Sequence, residues 1–293
     1  MQPINYDALK NAESATTQAK ANQYLADPHT APKATRHGIA KLIGWVILGF
    51  ILLALLPGAL KILVVILGAC GIYFYTAKYS KKHAEALQKF VSDNNWQLTP
   101  PTAITVPSLT PSGESAGITS DVISGPLGAA PFMLYTYESD SGGHKKASEV
   151  VTLQLSGSLP TITLDALANN ALGSNLLNRP SDRGLVEIDL EGDFQKSFKV
   201  YMEPNQQINA LEIITPDIMQ KMVDEGAFFD IDITGSSAHI ISAASLISYP
   251  YIQKQLDFGQ LLATSLESKL RTFNASTPAP VNQQTVQESP TPT

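Results

Sequence analysis

One cysteine, Cys70, is present in 293 residues. That scarcity excludes an intramolecular disulfide and any zinc site built from several thiolates. Histidine is also sparse: His29, His37, His83, His144 and His239 are scattered, and no two have the H-x-x-x-H spacing that puts two imidazoles on one helix face. The glycine patterns that cradle phosphate are missing as well, since neither G-x-G-x-x-G nor G-x-x-x-x-G-K-[ST] occurs. Basic charge is short over residues 84–272, where 11 Lys and Arg face 22 Asp and Glu, a balance of −11. A body of that sign repels nucleic acid, which is excluded as a partner. No cofactor is expected, and no catalytic or metal-ligating set is assigned.

What is abundant is apolar sequence in one place. Residues 42–76 read LIGWVILGFILLALLPGALKILVVILGACGIYFYT, with Lys61 the only charge. As one helix this segment would run about 52 Å, against an apolar bilayer core of about 30 Å. Pro57-Gly58 divides it near the middle, where proline ends a helix and glycine permits a reversal. Lys33, Arg36 and Lys41 precede the segment, and Lys78, Lys81 and Lys82 follow it. Positive flanks favour the cytoplasmic side. The expectation is a two-helix transmembrane hairpin over 38–83, contacting the lipid bilayer through 42–76, in a multi-pass cell-membrane protein whose soluble domain is cytoplasmic. Leu67-Gly68-Ala69-Cys70 imitates a lipidation box, but more apolar residues follow, and Cys70 is read as a small residue of a membrane helix.

The ends are polar. Residues 1–37 are expected to be partly disordered, with a short helix near Tyr6–Tyr24. Residues 273–293, rich in Pro, Thr, Ser and Gln, bury too little to offset the entropy of ordering and are expected to be disordered.

Residues 84–272 read as an acidic α+β domain, mostly antiparallel β with two late helices. PFMLYTYES (131–139) and SEVVTLQLS (148–156) flank SGGHKKA as a β-hairpin. LPTITLD (159–165), LVEIDLEGD (185–193) and SFKVYME (197–203) are further strands. Thr215-Pro216-Asp217 then supplies an N-cap, a proline at the first helical position and an acid in the first turn. Ile218, Met219, Met222 and Val223 form one apolar helix face, and Gly226 ends it. FFDIDIT (228–234) and HIISAAS (239–245) return to strand. Ile252, Leu256, Gly259, Ala263, Leu266 and Leu270 recur at helical spacing, the signature of a long amphipathic helix packed on the sheet.

Two patterns suggest chemistry. GESAG (113–117) fits G-x-S-x-G, which would make Ser115 a nucleophile, with Asp230 and His239 available to complete Ser…Asp…His. The elbow needs a buried strand before the serine and a helix after it. Here two prolines precede it and a predicted strand follows, so Ser115 reads as a loop residue and the serine hydrolase is the alternative reading. Glu187, Asp189, Glu191 and Asp193 alternate along one predicted strand, as do Asp230 and Asp232. Each row reads as a solvated acidic face, with divalent-cation sensing as the alternative. The calcium-loop pattern fails where position twelve is Phe198. Were the two rows on neighbouring strands, their carboxylates would repel unless Lys196, Lys199 or a cation lay between them.

From Trp96 to Ile241 the chain resembles a family of uncharacterised bacterial membrane-anchored proteins. The resemblance rests on PFMLYTYESDSGG, LPTITLDAL, LEGDFQKSFKVYME and ALEIITPDIMQKMVDEGAFFDIDI, in that order, after the apolar hairpin. It implies a topology, a membrane hairpin plus an α+β domain, and it supplies no activity or ligand. The function expected is non-enzymatic: presenting the domain to a protein partner or to a second copy of itself.

Overall fold

The structure, a computed structural model, describes residues 3–26, 81–101, 105–110, 117–141, 144–170, 177, 180–190, 192–243 and 248–276. The first elements are helices α1 (Asp7–Ala12) and α2 (Ala15–Ala26), followed by α3 over 81–93. A seven-stranded antiparallel sheet then forms from β1 (Gln97–Thr99), β2 (Ile118–Leu127), β3 (Ala130–Ser141), β4 (His144–Ala166), β5 (Val186–Ile188), β6 (Phe198–Met202) and β7 (Asp230–Ala243). A short helix, α4 (Leu167–Asn170), follows β4 directly. Helices α5 (Gln207–Ile213) and α6 (Pro216–Gly226) lie between β6 and β7, and α7 (Tyr249–Ser276) follows β7.

The architecture is α+β, organised around one long strand. The 23-residue β4 pairs with β3 through its first half and with β6 through its second, while β7 follows it along the opposite edge. The expected 131–139/148–156 hairpin is present, in register from Phe132↔Leu153 to Ser141↔His144. The segments 148–156 and 159–165, expected as two strands, are one. So are 228–234 and 239–245, which merge into β7. The merged strands are bent. Between Gln154↔Ser237 and Ile162↔Ile233, eight steps along β4 match four along β7, and Gly235 takes up the turn with φ +57°. Glycine reaches that backbone region at little steric cost.

One face of the sheet carries Val151, Leu153, Ile162, Leu164, Ile231, Ile233 and Ile240 into the main core. Helices α6 and α7 cover it with Ile218, Met222, Leu256, Phe258, Leu262 and Leu266. Gly259 allows α7 to approach closely, because a β-carbon there would lie 3.2 Å from Leu127 and 3.4 Å from Ile240. Glu267 of α7 ties down the β4 bulge, accepting from the Ser156 amide and hydroxyl at 2.6 Å each. The N-terminal helices join the same body. Tyr6 stacks on Phe90 and donates its hydroxyl to Asp257 at 2.8 Å, Glu13 accepts the Tyr249 amide at 3.0 Å, and Asn94 is bonded to both backbone groups of Asn5. Trp96 links these parts. Its indole donates to the Pro126 carbonyl at 3.0 Å and its ring meets Phe90 and Phe132 edge-on, over a Gly125 that leaves no room for a side chain.

The structure corrects the expected membrane attachment. Among the described residues no helix is long and apolar enough to cross a membrane. The longest, α7, is apolar along one stripe only and carries Lys254, Asp257, Glu267, Lys269 and Arg271 elsewhere. Over the described residues the fold class is therefore the α+β domain alone, and no helix among them supports the expected transmembrane hairpin or the multi-pass cell-membrane placement. Residues 42–76, including Cys70, lie outside the described residues, as do 277–293.

A second correction concerns the acidic row. Among the described residues of the 185–193 segment, only Val186–Ile188 is strand. Asp189 and Leu190 follow it without regular structure, and Gly192–Lys196 is a 3-10 helix that starts at φ +84° and turns Phe194 inward against Phe198. Burying Phe194 outweighs continuing the alternation.

Candidate functional site

The second face of the bent sheet is polar where a buried face is usually apolar. In the β7 half beyond the bend, Thr152 of β4 sits opposite His239 of β7 and beside Tyr135 of β3. Alternation places all three on the same face as Tyr137, Val150 and Ile241, which cluster there with Val106, Leu109 and Leu177. The Thr152 hydroxyl lies 2.8 Å from the Tyr135 hydroxyl and 2.9 Å from His239 Nδ1. Burial lowers the imidazole's affinity for a proton and pushes the Tyr135 phenol up to about 12. The three groups form an uncharged relay.

On the other half, Thr163 of β4 faces Asp232 of β7, and Asp230 stands two residues before it. Both carboxylates are fully buried. Asp232 Oδ1 accepts from the Thr163 hydroxyl at 2.6 Å and from Arg183 Nη1 at 2.9 Å. Arg183, on the short 3-10 turn Pro180–Arg183, also reaches the Thr163 and Thr234 hydroxyls at 3.2 and 3.3 Å. Asp230 Oδ1 accepts the Ala166 amide and the Asn169 side-chain amide, each at 2.8 Å. The bend brings the two halves into electrostatic contact: His239 feels Asp232, which favours its charged form, and Arg183, which opposes it.

Of the trio Ser115, Asp230 and His239 singled out from sequence, the two described residues are not hydrogen-bonded to one another. Ser115 lies outside the described residues. Asp230 and His239 are both buried, but they serve different partners, Ala166 and Asn169 for the acid and Thr152 for the imidazole. Among the described residues no carboxylate hydrogen-bonds the His239 ring, so the acid that would orient a catalytic base is absent from it. The hydroxyl next to the imidazole, Thr152, is 3% exposed, beyond reach of a substrate in this conformation. Also among the described residues, no group of three or more His, Cys, Asp and Glu is placed to hold a metal ion. Of the acidic row, Glu187 pairs with Lys199 at 3.4 Å across β5 and β6, Asp193 pairs with Lys196, and Glu191 lies outside the described residues. Asp230 and Asp232, expected on a solvated face, are instead interior. Arg183, Thr152, Tyr135 and Asn169 were not anticipated. The one signal available was the D-I-D-I alternation, because a buried pair of carboxylates must find a cation or protons.

Comparisons with known proteins add little. No family model matches the chain, and no curated protein matches it. Among solved structures, the crystal structure of the mycobacterial trehalose monomycolate transport factor A is similar at a TM-score of 0.41 and 7% identity, over 60% of this chain and 91% of that one. A likeness at that level says nothing about what this chain does.

Proposed function

We propose that the α+β domain is a non-enzymatic binding module that docks a protein partner on α5. The observation that carries this reading is the exposure of Ile208, at 77%, with Leu211 one turn along at 41%. The opposite side of the same helix, Ala210 and Ile213, is buried in the core, so α5 is held firmly while presenting two large apolar side chains outward. An open cleft of about 380 Å³ lies alongside, lined by Leu159, Pro160, Thr161, Glu203, Gln206 and Asn209.

Charge selects the kind of partner. Glu212 lies on the same helix as the apolar pair, Glu203 lines the cleft, and residues 84–272 carry a balance of −11. Two copies of such a surface repel, whereas a partner with an apolar anchor and a basic rim is attracted. The buried polar face supports the non-enzymatic part, since its imidazole is bonded to Thr152 and its carboxylates to Thr163, Arg183, Ala166 and Asn169, all away from the surface.

Photo-cross-linking in cells tests the proposal. A photoreactive residue at position 208 is expected to give one discrete adduct with another polypeptide, attached at an apolar segment flanked by Lys or Arg, while the same residue at exposed Lys89 gives none. No adduct, equal labelling from both positions, or an adduct only with a second copy of this chain would overturn it.

A further inference from the structure

The α4 end of the polar face brings together Asp165, Asn169, Asn170 and Asp230. The Asn169 amide donates to Asp230 Oδ1 at 2.8 Å, and the Asn170 amide donates to Asp165 Oδ1 at 3.0 Å. The other oxygens of the first pair, Asp230 Oδ2 and Asn169 Oδ1, are buried and have no hydrogen-bond partner among the described residues. Both residues are more than nine-tenths buried, at 0% and 4% exposure. With Asp230 ionised, these two atoms are acceptors only, in joined groups, with no donor for either among the described residues. A single proton resolves both. A neutral Asp230 donates its Oδ2 hydroxyl to Asn169 Oδ1 while its Oδ1 still accepts the Asn169 amide, closing a two-bond ring between acid and carboxamide.

We propose that Asp230 is held as the neutral acid and that this acid–amide ring is a proton-operated latch, fastening α4 to β7 beside the polar face. The surroundings favour it. Burial, and secondarily the like charge of Asp165, push the Asp230 carboxyl up to about 8, against the Ala166 and Asn169 donors. The charged groups on the packed elements do not reverse this. On β7, Asp232 is committed to Arg183 from the 3-10 turn. On β4, Asp165 is itself raised by burial, and the charges of Lys199 on β6 and Glu187 on β5 act on it from the surface with opposite signs. Helix α4 has no charged side chain.

The sign follows from the raised value. The unfolded carboxyl titrates near its ordinary value of about 4, so the latch contributes fully below that pH and is lost as pH rises through about 8. Asp230→Asn keeps the shape and offers an N–H to Asn169 Oδ1 at every pH. The expected result is that Asp230→Asn melts above the wild type at pH 8, with the gap closing towards pH 5, and that amide exchange at Asn169 and Asn170 accelerates with pH beyond the intrinsic rate in the wild type only. An Asn variant that melts below the wild type at pH 8, with the deficit shrinking on acidification, would show an anionic Asp230 and overturn the proposal. Equal melting at every pH would overturn it as well. The carbon-13 shift of the Asp230 carboxyl in the wild type reads the same state without any substitution, and an ionised signal at pH 6 contradicts the latch even if the variant fails to fold.

Discussion

Replacing Arg183 by Met destabilises the fold by about 3–5 kcal/mol, the usual cost of stranding one member of a buried ion pair. Arg183 is the cation bonded to Asp232, whose side chain is fully buried, and the arginine itself is only 16% exposed. Methionine preserves much of the stem, so the loss reports on the guanidinium rather than on packing. Among the described residues Asp232 also keeps a buried, unpartnered Oδ2, so removing the Arg183 cation leaves it severely undersolvated. A double-mutant cycle with Asp232→Asn separates the two contributions. Once the charge is gone, Arg183→Met is expected to cost much less, and additive losses in denaturant melts would argue against the pair. A second readout follows from His239. Arg183 lowers its proton affinity and Asp232 raises it, so the imidazole pKa rises in Arg183→Met and falls in Asp232→Asn, measurable by NMR.

Trp96→Ala is the other large effect, at about 3–5 kcal/mol for a buried large aromatic. The indole fills the space above Gly125, bonds to Pro126, and meets Phe90 of α3 and Phe132 of β3 at ring-centroid distances of 5.3 and 4.7 Å. Its position depends on the end of α3, where Asn95 adopts φ +56° and the Trp96 amide returns to the Val91 carbonyl at 2.9 Å. Truncation therefore opens a cavity where α3, the N-terminal arm and β2–β3 meet. Leu98→Ala, two residues on and 40% exposed, is expected to stay within about 0.5 kcal/mol of wild type. Comparable denaturation midpoints for the two variants would refute the assignment of Trp96 as the joint between these parts.

Much of the fold was legible because its signals were local and strong. The alternating segments 131–139 and 148–156 paired as the β3–β4 hairpin, and α6 opened with Pro216 at its first position, although Thr215 makes no side-chain cap bond. The periodic stripe from Ile252 to Leu270 became α7. Other features depended on distant contacts. Four expected strands became two because the bulge at 154–162 and the turn at Gly235 bend a ladder without ending it. The acidic row from Glu187 stopped early because Phe194 had a core to enter. Apolar length over 42–76 argued for a bilayer, yet no described helix is long and apolar enough to cross one.

The candidate sites were the least legible. Arg183 sits in a polar loop, with nothing in its neighbours to indicate that it crosses to Asp232, 49 residues away. Helix α5 was missed for a different reason. Ile208 and Leu211 form one stripe while Ala210 and Ile213 form another, so the helix carries apolar residues on both sides and no single periodic face stands out. Only burial distinguishes the stripe that holds the helix from the stripe left open.

The size of the native assembly tests the central claim, that α5 docks a protein partner, most directly. Ile208→Ser/Leu211→Ser removes two exposed side chains and is expected to melt with the wild type. In cell extract, the wild type should elute larger than the isolated chain and the double variant at the size of the isolated chain. Identical elution of the two proteins, both folded, would contradict the account.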